Sequence, residues 1–122
     1  MMKKMIFLFL AVMLLTACGQ KQENDREAVY MNITAQEAKT IMDAEEGYVI
    51  LDVRTQEEYD QGHIPGAVLI PDTEIRARAE EVLTDKDQLI LVYCRSGRRS
   101  KLASEILVEL GYTNIREFGG II

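Results

Sequence analysis

Cys94 is followed within five residues by Arg95, Arg98 and Arg99, with Gly97 and the hydroxyls of Ser96 and Ser100 set among them. A thiol in that company is equipped to act as a nucleophile. Free cysteine ionises near pH ~8.5, so only a few per cent is thiolate at neutrality, and nearby guanidinium groups or a helix N-terminus favour the anion. Lowering the pKa by two units takes about 2.7 kcal/mol of differential stabilisation, which one helix terminus and one or two arginines can supply. Gly97 serves differently. A loop whose successive N–H groups turn inward makes an anion-binding concavity, and glycine accepts the dihedrals this requires. With Ser96 and Ser100 as further donors, and Arg99 suited to a bidentate grip on an oxyanion, Arg95 to Ser100 reads as a substrate-binding cradle around a catalytic Cys94. The bland alternative is an inert cysteine at a strand end, and three arginines and a glycine so close by argue against it.

The other chemistry-bearing residues carry weaker signals. His63 is the single histidine, in Gly62-His63-Ile64-Pro65-Gly66, and a pre-ionised thiol needs no base from it. Asp52 and Arg54 end an apolar run on the side where a site is expected, and they read as a supporting ion pair or loop brace. Glu57 and Glu58 read as helix-start charges rather than a catalytic carboxylate pair. No His, Cys and Asp cluster has metal-ligand spacing, and no cofactor is expected. The formal charge is −6. Without Lys3 and Lys4, the only charges before Cys18, twelve basic residues face twenty acidic ones, a net −8. A chain this acidic lacks the basic footprint of a nucleic-acid binder, which makes the arginines after Cys94 a local inversion.

The elements that must position this loop follow from periodicity. Thr34 opens a helix with Glu37 completing a capping box; Ala38, Ile41 and Met42 share a face, and Gly47 stops it. Tyr48–Val53 is a continuous apolar run, as expected of a strand buried on both faces. Thr55 and Glu58 form a second capping box, opening a short helix that ends near Gly62. Ala67–Ile70 is a strand, followed by a helix to about Leu83 with Ile75, Ala79, Val82 and Leu83 inward. Leu89–Tyr93 is the most apolar strand. The last helix runs from about Arg99 to Leu110, burying Leu102, Ala103, Ile106 and Leu110, and Asn114–Phe118 is a final strand. Strands alternating with helices imply an α/β domain with a mainly parallel sheet, whose sites form outside the carboxyl ends of the strands.

The start of the chain reads separately. Lys3 and Lys4 precede an uncharged apolar stretch, Met5–Leu15, too short for a spanning helix of about 20 residues and suited to a signal-peptide core. Leu15-Thr16-Ala17-Cys18-Gly19 resembles the bacterial lipobox, which implies lipidation of Cys18 as a new N-terminus. With about 0.8 kcal/mol per buried CH₂, acyl chains there would hold the protein to a membrane on its extracytoplasmic face. That assignment outranks a disulfide between Cys18 and Cys94. The organisation expected is a lipoprotein signal peptide at 1–17, a lipidated cysteine and polar tether at 18–29, and one domain at 30–122.

Cys94 to Ser100 resembles the active-site loop of the rhodanese family. Asp52-Val53-Arg54, Glu58-Tyr59, Gly62-His63-Ile64-Pro65-Gly66-Ala67 and Gly119-Gly120 agree in the same order, so the likeness spans about Tyr30 to Gly120. It implies a three-layer α/β fold with a five-stranded parallel sheet flanked by helices, a structural turn around His63, and transfer of sulfane sulfur through a persulfide on Cys94. Phosphatases and arsenate reductases on the same fold place their arginine after five intervening residues. Here Arg99 comes after four and Ser100 after five, a shorter loop that resembles the sulfurtransferases. The chain runs two residues past Gly119-Gly120, where family members continue into an aromatic residue, which implies a truncated or minimal domain with weaker pocket closure.

The expected reaction takes sulfur from a small anionic donor such as thiosulfate and delivers it to cyanide or a thiol. Two alternatives remain open at this point: a phosphatase or arsenate reductase on the same fold, and a non-catalytic binding module at the envelope.

Overall fold

The computed structural model describes residues 29–121. The charged start, the apolar stretch, Cys18 and the tether before Val29 lie outside the described residues.

Five strands, β1 (Met31–Asn32), β2 (Val49–Asp52), β3 (Val68–Leu69), β4 (Ile90–Cys94) and β5 (Ile115–Gly120), form one sheet in the order β1-β5-β4-β2-β3. Every pairing is parallel. The helices are α1 (Ala35–Ala44), α2 (Gln56–Gln61), α3 (Ile75–Val82) and α4 (Arg98–Glu109), and a 3₁₀ turn, Asp72–Glu74, leads into α3. Thr34 and Thr55 cap α1 and α2, each in a reciprocal box with the glutamate three residues on. Both boxes satisfy amides that a helix start would otherwise leave unpaired. The expected α/β architecture with a five-stranded parallel sheet is the one observed.

Alternation along the strands sorts the core into two layers. Ile90, Val92 and Cys94 of β4 pack with Leu51, Ile75, Ala79, Ala103 and Leu107, on the face covered by α3 and α4. Leu91 and Tyr93 face the other way, against Ile50, Ala38 and Phe118. Parity alone therefore turns the Cys94 side chain towards α4.

Two sequence expectations need correction, and one element had not been expected. Leu102 is 45% exposed; the buried stripe of α4 is instead Ser100, Ala103, Ser104 and Leu107, an i, i+3, i+4, i+7 face. The helix is rotated so that Ser100, not a leucine, faces the sulfur. The last strand runs on to Gly120, beyond Phe118. The two-residue edge strand β1 had no periodic signal, because two residues cannot show one.

Candidate active site: the Cys94 loop

β4 ends on Cys94, and α4 begins four residues later at Arg98. Gly97, the N-cap, takes φ +102°, a left-handed conformation that makes so short a strand-to-helix turn possible for glycine. No side chain caps α4. The sulfur fills that role: the Gly97 N–H donates to Sγ at 2.9 Å and the Ser100 N–H at 3.3 Å. Orphan amides of a helix start are thus spent on one atom, with the positive end of the helix dipole behind them.

Cys94 is fully buried. Burial pushes its thiol up, but hydrogen bonding with the Ser100 side chain and from the amides of Ser100, Gly97 and Arg99 outweighs this and holds the pKa below its ordinary value. The sequence assigned that effect partly to guanidinium groups. In the structure it comes chiefly from hydrogen bonds at the head of α4, with Ser100 and with backbone amides.

The arginines have other positions. Arg99 gives both arms of its fork to Glu58, at 2.9 and 3.0 Å, so its bidentate grip is on a carboxylate of the protein itself. Arg95 lies 3.8 Å from Glu58 and, like Ser96 and Arg98, is exposed at the loop. Arg54, Glu58, Gln61, Gly62, Arg95 and Ile121 border a cleft of about 240 Å³ beside it.

Glu58 therefore has two tasks. It accepts the Thr55 N–H at 2.9 Å, closing the capping box of α2, and it pins Arg99 of α4. The Arg99 bond first, and then the Thr55 amide, hold its carboxyl down at about 2. A depressed folded-state pKa adds stability that is complete above the ordinary value of 4.5 and is lost as pH falls towards about 2. Comparing wild type with Glu58→Gln should show a Tm difference that is constant above about pH 5 and closes as pH approaches the folded pKa. A difference independent of pH down to that point would contradict the ion-pair assignment.

Asp52 and Arg54 form a buried ion pair. Arg54 donates to both Asp52 oxygens, with Nη2 at 2.7 Å from Oδ2, and the same Nη2 reaches the Gly62 carbonyl at 2.7 Å. The Tyr93 hydroxyl donates to Asp52 at 2.6 Å and accepts the Ile64 N–H at 3.2 Å. Burial and then the Asp52 bond push Tyr93 up to about 12. The set joins β2, β4 and the turn through His63 on the sheet face away from the sulfur. His63 stacks on Tyr59 with ring centroids 3.6 Å apart, and its Nδ1 meets the Tyr59 carbonyl at 2.8 Å. It is part of the turn and is not among the partners of Cys94. Among the described residues, no group of three or more His, Cys, Asp and Glu is placed to hold a metal ion.

Two features escaped the sequence reading. Glu117 is fully buried and accepts from Ser100 Oγ at 2.5 Å and from the Gly119 N–H at 2.8 Å. Its signal was available: alternation from Ile115 puts Glu117 on the buried face. The other is the approach of β5 to the loop. A register shift between Val92 and Cys94 sets Gly120 opposite Cys94, and the Ile121 N–H donates to the Cys94 carbonyl at 3.2 Å.

This geometry, a cysteine at a strand end cradled by the amides of a short loop, coincides with a family match. The rhodanese-like domain profile matches residues 34–121. The chain belongs to that family. It is 44% identical over 71 residues to the thiosulfate sulfurtransferase PspE of Escherichia coli strain K12, an alignment covering 58% of this chain and 68% of that protein. A sulfurtransferase of Allochromatium vinosum is 40% identical over 78 residues, covering 63% and 71% respectively. Among solved structures, a rhodanese with anions from E. coli superposes with a TM-score of 0.57 at 42% identity, over 60% of this chain and 86% of that one. At the level of the family, the rhodanese-like domain here is of the sulfurtransferase kind.

Proposed function

We propose that this protein transfers sulfane sulfur through a persulfide on Cys94. The observation that carries the reading is the sulfur itself, held by the Gly97 and Ser100 amides at the head of α4 with its pKa lowered. The thiolate attacks the outer sulfur of a donor such as thiosulfate; a new S–S bond forms, the donor's S–S bond breaks, and its electron pair leaves with sulfite. The acceptor, cyanide or a thiol, then attacks the outer sulfur of the Cys94 persulfide and restores the thiolate. No net oxidant is required. Two half-reactions on one nucleophile give ping-pong kinetics.

Arg95, Ser96 and Arg98 at the loop surface draw anionic donors towards a site in an otherwise acidic chain. Gly97, Arg99 and Ser100 supply amides that would carry the persulfide charge. The buried sulfur favours a donor that presents a single narrow terminal atom. The loop, with four residues between Cys94 and Arg99, favours sulfur over the bulkier phosphate group of the phosphatase alternative.

Intact-mass measurement tests this directly. After thiosulfate treatment the protein should gain one sulfur atom, and cyanide should remove it with release of thiocyanate. A chain whose mass never changes is a binding module, not an enzyme.

The lipobox-like Leu15–Cys18 segment supports a lipid-anchored location on the extracytoplasmic face of a membrane. Cys18→Ala should then release the protein from the membrane fraction.

A further inference from the structure

The Ser100 hydroxyl has one proton and two acceptors within reach, and its oxygen in turn accepts from the Cys94 thiol. Gly97 O lies at 3.0 Å, Glu117 Oε2 at 2.5 Å and Cys94 Sγ at 3.4 Å. The carboxylate is the nearest, and bonds to a charged acceptor are the strong ones. With the proton on Glu117, the lone pairs of Ser100 Oγ are what face the sulfur, and they suit S–H rather than S⁻.

Glu117 is held for this. β5 parity places it on the α4 face beside Ile115. Asn32 Nδ2 of β1 donates to Oε1 at 2.5 Å, and the Gly119 N–H donates to Oε2. Ser100 is thus the link between two buried groups, a thiol and a carboxylate, that would otherwise not touch.

We propose that Glu117 is a positioning residue for the Cys94 chemistry, its buried carboxylate holding the Ser100 hydroxyl away from the sulfur. It rests on Cys94 being the reacting atom. Ser100 can support the thiolate fully only when Glu117 gives up that hydrogen bond, so Glu117 sets how far the amides alone carry ionisation.

Few other charges bear on the pair. Of the elements around β5, β4 presents Cys94, and α4 presents Ser100 with Glu105 exposed further along. Tyr30, leading into β1, is pushed up by burial and then by the charges of Glu105 and Glu117. The charged residues of α1, Glu37, Lys39 and Asp43, are exposed. On the sulfur side, Arg99 feels the Cys94 and Asp72 charges but is bound to Glu58.

The test is the rate of Cys94 alkylation by iodoacetamide as a function of pH, which needs neither donor nor acceptor. A failure of sulfur transfer would therefore leave these midpoints readable. Glu117→Gln removes a like charge and frees the hydroxyl, and should lower the midpoint by about one pH unit. Ser100→Ala in the wild-type background should move it by less than about a third of a unit, because the hydroxyl is not on the sulfur. In the Glu117→Gln background the same change should raise it by about one unit. A midpoint unmoved or raised by Glu117→Gln overturns the proposal. So does a full-unit rise from Ser100→Ala alone, which decides the matter even if the Glu117 variant does not fold.

Discussion

Cys94→Ala should lower thiosulfate:cyanide transfer by at least about 10³-fold while leaving the domain folded. In the proposed reaction Cys94 Sγ alone carries sulfur between the two half-reactions. His63 is engaged in its turn and Glu58 in an ion pair, so no neighbour can take over. Removing one buried sulfur leaves a void near the size of a methyl group, worth about 1 kcal/mol, so Tm should move by only a few degrees. Initial rates and a thermal melt on the same preparation separate the two effects. Transfer that survives the substitution would place the reaction at another group and leave the Cys94 loop as scaffold.

The second large effect is expected from a residue that touches no substrate. A Cβ built on Gly120 would lie 1.8 Å from the Arg95 carbonyl oxygen and 2.8 Å from the Ser96 Cα. Both are backbone atoms of the reactive loop, and neither can swing aside as a flexible side-chain end would. In Gly120→Ala, either β5 peels from β4 or the loop moves off its position, and overpacking of this kind costs about 1–3 kcal/mol, occasionally more. That corresponds to a Tm loss of about 10 °C for a domain of this size. A loop displaced by about 1 Å takes the Gly97 and Ser100 amides off the sulfur, and misplacement on that scale costs about 10²-fold in rate. Alkylation of Cys94 should also become slower at neutral pH, as the thiol loses the amides that lower its pKa. Wild-type activity and melting in this variant would mean that the close packing of Gly120 on the loop is not what holds the cradle in shape.

Much of this protein was legible in order along the chain. Both capping boxes, Thr34 with Glu37 and Thr55 with Glu58, were visible because their bonds span three residues and need no distant partner. The apolar runs at 48–53 and 89–93 announced buried parallel strands, and the loop after Cys94 marked it as a candidate nucleophile. What sequence reasoning misassigned depended on rotation or on distant pairing. Leu102 looked buried because apolar residues on a helix are usually inward, yet the face of α4 is chosen by Ser100 meeting Cys94 and Glu117. The guanidinium of Arg99 looked free for an oxyanion because its partner, Glu58, lies 41 positions away.

The amino-acid sequence alone determined the alternation of strands and helices, the candidate cysteine and the length of its loop, since local hydrogen bonding, side-chain period and residue type are properties of short segments. Tertiary structure decided what lowers the pKa of the sulfur and what restrains it. Those are contacts across the sheet, between α4, β5 and the edge strand, and they exist only once parallel register has put Gly120 opposite Cys94 and Glu117 beneath Ser100. Register is set by the packing of whole faces, and no single stretch of chain contains it.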